Sequence, residues 1–140
     1  MNSKRILIVE DQPDIRKLIR MTLDFSGYEL HEADNGDSGY SMALSVRPLV
    51  MLLDVMMPGS MDGLQVCEKL KKDPAHAHTK IILLTARGQQ SDIDTGLQAG
   101  ANSYLIKPFS PLELMDMVDK YMAEAEAELD ANGTNNNLAA

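Results

Sequence analysis

The sequence has no tryptophan, two phenylalanines and a single cysteine, Cys67, in 140 residues. One cysteine excludes an intrachain disulfide and the stapled scaffolds of small secreted domains; Cys67 itself reads as a small core residue. Positive charge is also scarce: 13 Lys and Arg stand against 21 Asp and Glu, a formal net charge of -8. Basic patches interleaved with aromatics are missing, so direct nucleic-acid binding by this chain is not expected. Apolar runs are short, well below the roughly 20 residues that cross a membrane. Behind Met1-Asn2-Ser3-Lys4-Arg5 the first of them is also too short for a signal-peptide core. A cytoplasmic location, with no membrane partner, is the expectation.

What is present is enough for one packed domain: 44% of the residues are hydrophobic. The chain is organised around Leu52-Leu53-Asp54-Val55-Met56-Met57-Pro58, where an apolar run from Leu49 ends in one carboxylate and then in turn residues. Such a run suits a strand buried on both faces, and Asp54 then sits at its C-terminal tip, the edge where open α/β sheets bind ligands. Glu10 and Asp11 follow Ile6 to Val9, Thr85 follows Ile81 to Leu84, and Lys107 follows Tyr104 to Ile106. Three acids, a hydroxyl and an ammonium are thereby gathered at four strand tips.

In chain order, Ile6 to Val9 is the first strand, and Pro13 starts a helix with its stripe at Ile15, Leu18, Ile19, Thr22 and Leu23, ended by Gly27. Tyr28 to Ala33 alternates more, as an edge strand does, and a helix from about Asp37 to Val46 stops before Pro48. After the central strand Gly63 opens a helix to about Lys72, and Ala75 to Lys80 form a loop. Ile81 to Leu84 is the fourth strand, Ser91 with Asp94 caps a helix ending near Gly100, and Ser103 to Ile106 is the fifth strand. Ser110 caps the last helix, which starts at Pro111 with its stripe at Leu114, Met115, Val118, Tyr121 and Met122. The expected division is a domain over 4–123, then an acidic, fraying helix extension with a disordered Asn-rich tail over 124–140. Strand and helix alternate five times, which calls for a single α/β domain, (βα)5, with a doubly wound five-stranded parallel sheet and helices on both faces.

Three carboxylates converging on one pocket repel one another and want a cation. An all-oxygen donor set of this kind suits Mg2+, held by one or two carboxylates, water and a substrate phosphate. Beside such an ion an aspartate can act as nucleophile and form an aspartyl phosphate. Thr85 and Lys107 suit phosphoryl oxygens.

The set Ile8-Val9-Glu10-Asp11, Leu53-Asp54-Val55-Met56-Met57-Pro58, Met61-Asp62-Gly63, Leu84-Thr85-Ala86 and Lys107-Pro108-Phe109 resembles the receiver (CheY-like) domain of bacterial two-component response regulators, from about Lys4 to Met122. The resemblance implies a flavodoxin-like sheet of strand order 2-1-3-4-5. It implies that Asp54 accepts a phosphoryl group from a histidine kinase or histidine phosphotransfer protein, assisted by Thr85 and Lys107. Glu10, Asp11, Asp54 and the Met56 backbone carbonyl would hold Mg2+, with Thr85 and Tyr104 as the switch. A downstream protein would read the face of the fourth helix, fifth strand and fifth helix. Such a domain assists its own phosphorylation and dephosphorylation and is not otherwise an enzyme.

This chain departs from the family pattern in three places. The loop Met57-Pro58-Gly59-Ser60-Met61-Asp62-Gly63 is one residue longer than the usual Met-Pro-x-Met-Asp-Gly, with Ser60 as the extra residue. Asn102-Ser103 replaces the aspartate pair of the winged-helix subgroup, and Pro111 to Met122 contains no arginine, so a homodimer through that face lacks the subgroup's salt bridges. Met56 and Arg87 flank the acceptor, and their bulk implies a long-lived phosphoprotein. Rival readings fare worse. A haloacid-dehalogenase-like phosphatase needs a second aspartate where Met56 stands, and a nucleotide or flavin module needs a glycine-rich loop where Gln12-Pro13 stands. His76 and His78 read as solvent-exposed residues of a polar loop without a third metal ligand. His31 reads as surface.

Overall fold

Three apolar runs, Ile6 to Val9, Leu49 to Leu53 and Ile81 to Leu84, suit the inner strands of a sheet covered on both sides. The computed structural model describes residues 4–57, 59–86 and 90–139, with side chains described to residue 131. Its strands are β1 (Arg5–Val9), β2 (Glu29–Ala33), β3 (Val50–Asp54), β4 (Lys80–Ala86) and β5 (Ser103–Lys107). All pair in parallel, in the order β2-β1-β3-β4-β5. The helices are α1 (Pro13–Leu23), α2 (Gly36–Val46), α3 (Gly63–Lys72), α4 (Gln90–Gln98) and α5 (Pro111–Ala139).

Strand alternation sorts the core into two layers. Ile6, Ile8, Val50, Leu52, Ile82, Leu84 and Leu105 face α1 and α5. Leu7, Val9, Met51, Leu53, Ile81 and Leu83 face the other way, with Ala43 of α2 and Val66, Cys67 and Leu70 of α3. Each fully buried Leu or Ile contributes about 1.5–3 kcal/mol relative to an exposed one. β2 is the polar edge, as its alternation suggests, and His31 lies half-exposed there beside Glu29. Within the α1 stripe Ile19 and Leu23 are buried, whereas Leu18 leans outward.

Three local expectations change. α4 begins at Gln90, so Ser91 lies inside the helix; its carbonyl accepts from the Thr95 hydroxyl at 2.8 Å and Asp94 takes the Gln90 amide at 3.0 Å. The loop after α3 contains a 3-10 turn, Pro74–His76, started by Asp73, whose carboxylate accepts from the Ala75 N–H at 2.9 Å. That turn buries His76 to 3% exposure, where a solvent-exposed residue was expected. His78 is half-exposed and stands 3.5 Å from Glu128. Finally, α5 continues with helical backbone to Ala139. Its extension is anchored: Ala125 is fully buried, Glu126 pairs with Lys4 at 3.7 Å and Glu128 with Lys80 at 2.6 Å.

Candidate functional site

The sheet order reverses between β1 and β3, and the crevice of such a reversal opens at the C-terminal ends of the strands. Glu10 and Asp54 stand on its two sides. Glu10 follows Ile8 by two residues and Asp54 follows Leu52 by two, so both lean toward the α1–α5 side, and Lys107 does the same two residues after Leu105. Thr85, two residues beyond Leu83, starts from the opposite parity. Strand period and strand order together bring residues of four strand tips to one edge.

The acids do meet. One carboxylate oxygen from each of Glu10, Asp11 and Asp54 lies within 4.8 Å of the others. Glu10 is fully buried and Asp54 nearly so. Lys107 reaches in from β5, with Nζ 2.5 Å from Glu10 Oε1 and 3.4 Å from Asp54 Oδ2. Backbone groups hold the carboxylates in place: the Met56 N–H donates to Asp54 Oδ1 at 3.2 Å and the Gln12 N–H to Glu10 Oε2 at 3.2 Å. Arg16, one turn into α1, donates to the Glu10 carbonyl at 2.9 Å. Burial, then the neighbouring Glu10 carboxyl, pushes the Asp54 carboxyl up to about 8, with Lys107 opposing.

Gly63 accounts for how α3 starts so close to Asp54. A Cβ there would lie 2.0 Å from the Asp54 carbonyl oxygen, so the helix can begin against the strand tip only with glycine. Asp62 and Gln65 then form a reciprocal capping box. Thr85 is buried at the end of β4. Tyr104, in register with Leu83, is half-buried on the α2–α3 side of the sheet. The Met56 side chain is 63% exposed at the rim. Pro58 and Arg87 lie outside the described residues.

The donor set fits a hard divalent cation. All its atoms are oxygens, and Glu10 Oε1 is buried with the Lys107 ammonium beside it but no hydrogen bond among the described residues. Neither histidine at 76 or 78 joins a ligand cluster among the described residues. The sequence picked out Glu10, Asp11, Asp54, Thr85 and Lys107. It missed Arg16 and the Gly63 approach, though a glycine directly after a capping aspartate was a signal for the latter.

Comparison with known proteins agrees with this geometry. Residues 6–119 match the profile of the response regulator receiver domain. The transcriptional regulatory protein SrrA of Staphylococcus aureus is 43% identical over 113 residues, which cover 81% of this chain and 45% of that protein. The chain thus spans about half the length of the curated relatives it matches. Among solved structures, a putative response regulator from Chloroflexus aurantiacus superposes with a TM-score of 0.81 at 33% identity, covering 87% of this chain and 99% of that one. The chemotaxis response regulator CheY4 of Vibrio cholerae gives 0.78 at 28% identity, covering 86% and 99%. In strand order, site and sequence alike, this chain belongs to the response-regulator receiver family of two-component signalling.

Proposed function

We propose that Asp54 accepts a phosphoryl group from a phosphohistidine of a partner kinase or phosphotransfer protein. An Asp54 carboxylate oxygen bonds phosphorus as the P–N bond breaks, and the electron pair leaves with the imidazole nitrogen. The observation that supports this reading is a buried aspartate flanked by two acids and faced by one lysine at a sheet's ligand-binding edge. Magnesium, when bound, would neutralise charge on the incoming phosphoryl oxygens. Its holders would be Glu10, Asp11, Asp54 and the Met56 carbonyl. Lys107 supplies a point charge to one phosphoryl oxygen and the Thr85 hydroxyl a hydrogen bond to another. The domain assists its own phosphorylation and dephosphorylation and turns over no other substrate. Its place is the cytoplasm.

Phosphorylation draws Thr85 and Lys107 toward the new group. The loop after β4 follows Thr85, Tyr104 turns into the space so made, and the α4-β5-α5 face changes shape for a downstream protein. That is a population shift of a two-state element by a local charge event. Two copies pairing through the same face would lack the aspartate pair and the arginine of the winged-helix subgroup. A second reading, favoured by the 45% coverage of the transcriptional regulatory protein SrrA, is that these residues are the receiver portion of a larger regulator or hybrid kinase.

The direct test is intact mass after incubation with Mg2+ and acetyl phosphate, with Asp54→Asn as control. Addition of one phosphoryl group to the wild type alone supports the reading. No addition, with no Mg2+ binding, leaves an interaction domain independent of phosphorylation.

A further inference from the structure

The segment that supplies the Met56 carbonyl leaves β3 at Asp54 and enters α3 at Gly63. Its two ends are tied to the body of the domain. The Val55 N–H donates to the Leu84 carbonyl at 2.9 Å, and the Gly63 N–H to the Val55 carbonyl at 3.0 Å. Between those ties the loop is held from outside, by α2. Ser60, the extra residue of this loop, donates its hydroxyl to Asp37 Oδ1 at 2.6 Å and its N–H to Asp37 Oδ2 at 3.1 Å. One carboxylate thus takes both donors of a residue 23 positions away, and these two bonds hold the Asp37 carboxyl below its ordinary range.

The neighbouring geometry is built for this contact. Gly59 adopts φ +110, a left-handed conformation that brings Ser60 round to Asp37. A Cβ on Gly59 would come within 2.9 Å of Asp37 Oδ2, and a Cβ on Gly36 within 2.0 Å of the Met61 carbonyl. The first turn of α2 therefore lies directly against the loop. That turn is itself fixed, because Asn35 Oδ1 accepts from the Ser38 N–H at 2.8 Å. Its dipole also favours an ionised Asp37.

We infer that Asp37 and Ser60 are positioning residues that clamp the β3–α3 loop to α2, pre-ordering the Met56 carbonyl for the divalent cation and so setting the cation affinity of the site. The inference rests on the magnesium-assisted reading above. The longer loop would otherwise have to be ordered at the moment of cation binding, which weakens apparent affinity by the ordering cost. Neither residue touches the phosphoryl group, so the rate at saturating cation is set elsewhere.

The test compares the wild type with Ser60→Ala, Ser60→Thr and Asp37→Ala. Ser60→Ala is the decisive variant, since it removes one hydrogen bond without altering charge. Mg2+ affinity is measured by titration calorimetry, and phosphorylation by acetyl phosphate is followed across Mg2+ concentrations. Ser60→Ala should weaken Mg2+ binding about three- to tenfold, the net worth of one ordinary hydrogen bond at a solvent-exposed site. Its phosphorylation rate at saturating Mg2+ should match the wild type, Ser60→Thr should restore affinity, and amide exchange over residues 55–61 should quicken in Ser60→Ala. Unfolding temperature in EDTA identifies a variant damaged beyond the loop. Unchanged affinity in Ser60→Ala, whatever Asp37→Ala does, with a wild type that binds Mg2+ and takes a phosphoryl group, overturns the clamp alone. A wild type that does neither overturns the proposed function and the clamp with it.

Discussion

Lys80 on β4 and Glu128 on α5, 48 residues apart, meet at 2.6 Å at the end of the sheet opposite the acidic site. The lysine side chain is 11% exposed, and the Glu128 carboxylate is its ion-pair partner. Glu128 is half open to water and its worth is correspondingly screened. Glu128→Gln should cost roughly 1 kcal/mol, a fall in Tm on the order of 4 °C. The Lys80 hydrogen bond holds the Glu128 carboxyl below its ordinary range, so this contribution is present above that range and is lost as pH falls through the lowered value. Thermal unfolding from pH 7 down to pH 3 should show the wild type and Glu128→Gln converging. Truncation after Ala123 removes Ala125 as well and should cost more than Glu128→Gln at neutral pH.

Asp54 gives the opposite sign. Its carboxyl is raised by burial and by Glu10, so folding takes up a proton between the ordinary carboxylate range and about 8. The stability linked to that proton is full below the unfolded value and is lost as pH rises through the folded one. In EDTA, Asp54→Asn should therefore be more stable than the wild type at pH 8 by an amount on the order of 2 kcal/mol, and the gap should narrow toward pH 4. Urea unfolding at the two pH values measures it. Added Mg2+ should stabilise the wild type more at pH 8 than at pH 5.

Among the described residues, Lys107 is the cation paired with Glu10 and Asp54. Lys107→Met leaves the buried Glu10 and Asp54 without it and should lower metal-free stability at pH 7.5 by about 1–3 kcal/mol. Because Mg2+ substitutes for part of that charge, its stabilisation should be larger in the variant than in the wild type. Thermal shift with and without Mg2+ decides this.

Gly63→Ala places a methyl group 2.0 Å from the Asp54 carbonyl oxygen, a backbone atom that cannot rotate away. The start of α3 must retreat, at about 1–3 kcal/mol in denaturant unfolding. Acetyl phosphate labelling should slow because the strand tip moves with it.

The fold was legible because four β-strands announce themselves as apolar runs and each ends in a residue with chemistry. The Ser110 cap was equally legible: its hydroxyl accepts from the Glu113 N–H at 3.1 Å. What stayed hidden depended on contacts far apart in sequence. Asp37 and Ser60 carry no pattern that links them. His76 looked exposed because its neighbours are polar, yet a 3-10 turn fixed by Asp73 folds it inward. The Ala and Glu residues after 123 read as a fraying end, since nothing local shows that Lys4 and Lys80 wait to pair with them.

The strand that carries Lys107 has a hydrogen-bonded neighbour on one side only, β4. Lys107 therefore works as a tie rod between the middle of the sheet, where Glu10 and Asp54 sit, and its free margin. On the proposed function, charge added at Asp54 would pull through Lys107 on an edge strand. The sheet would then yield at its margin, and the outer surface would be reset while the inner strands and both cores keep their packing.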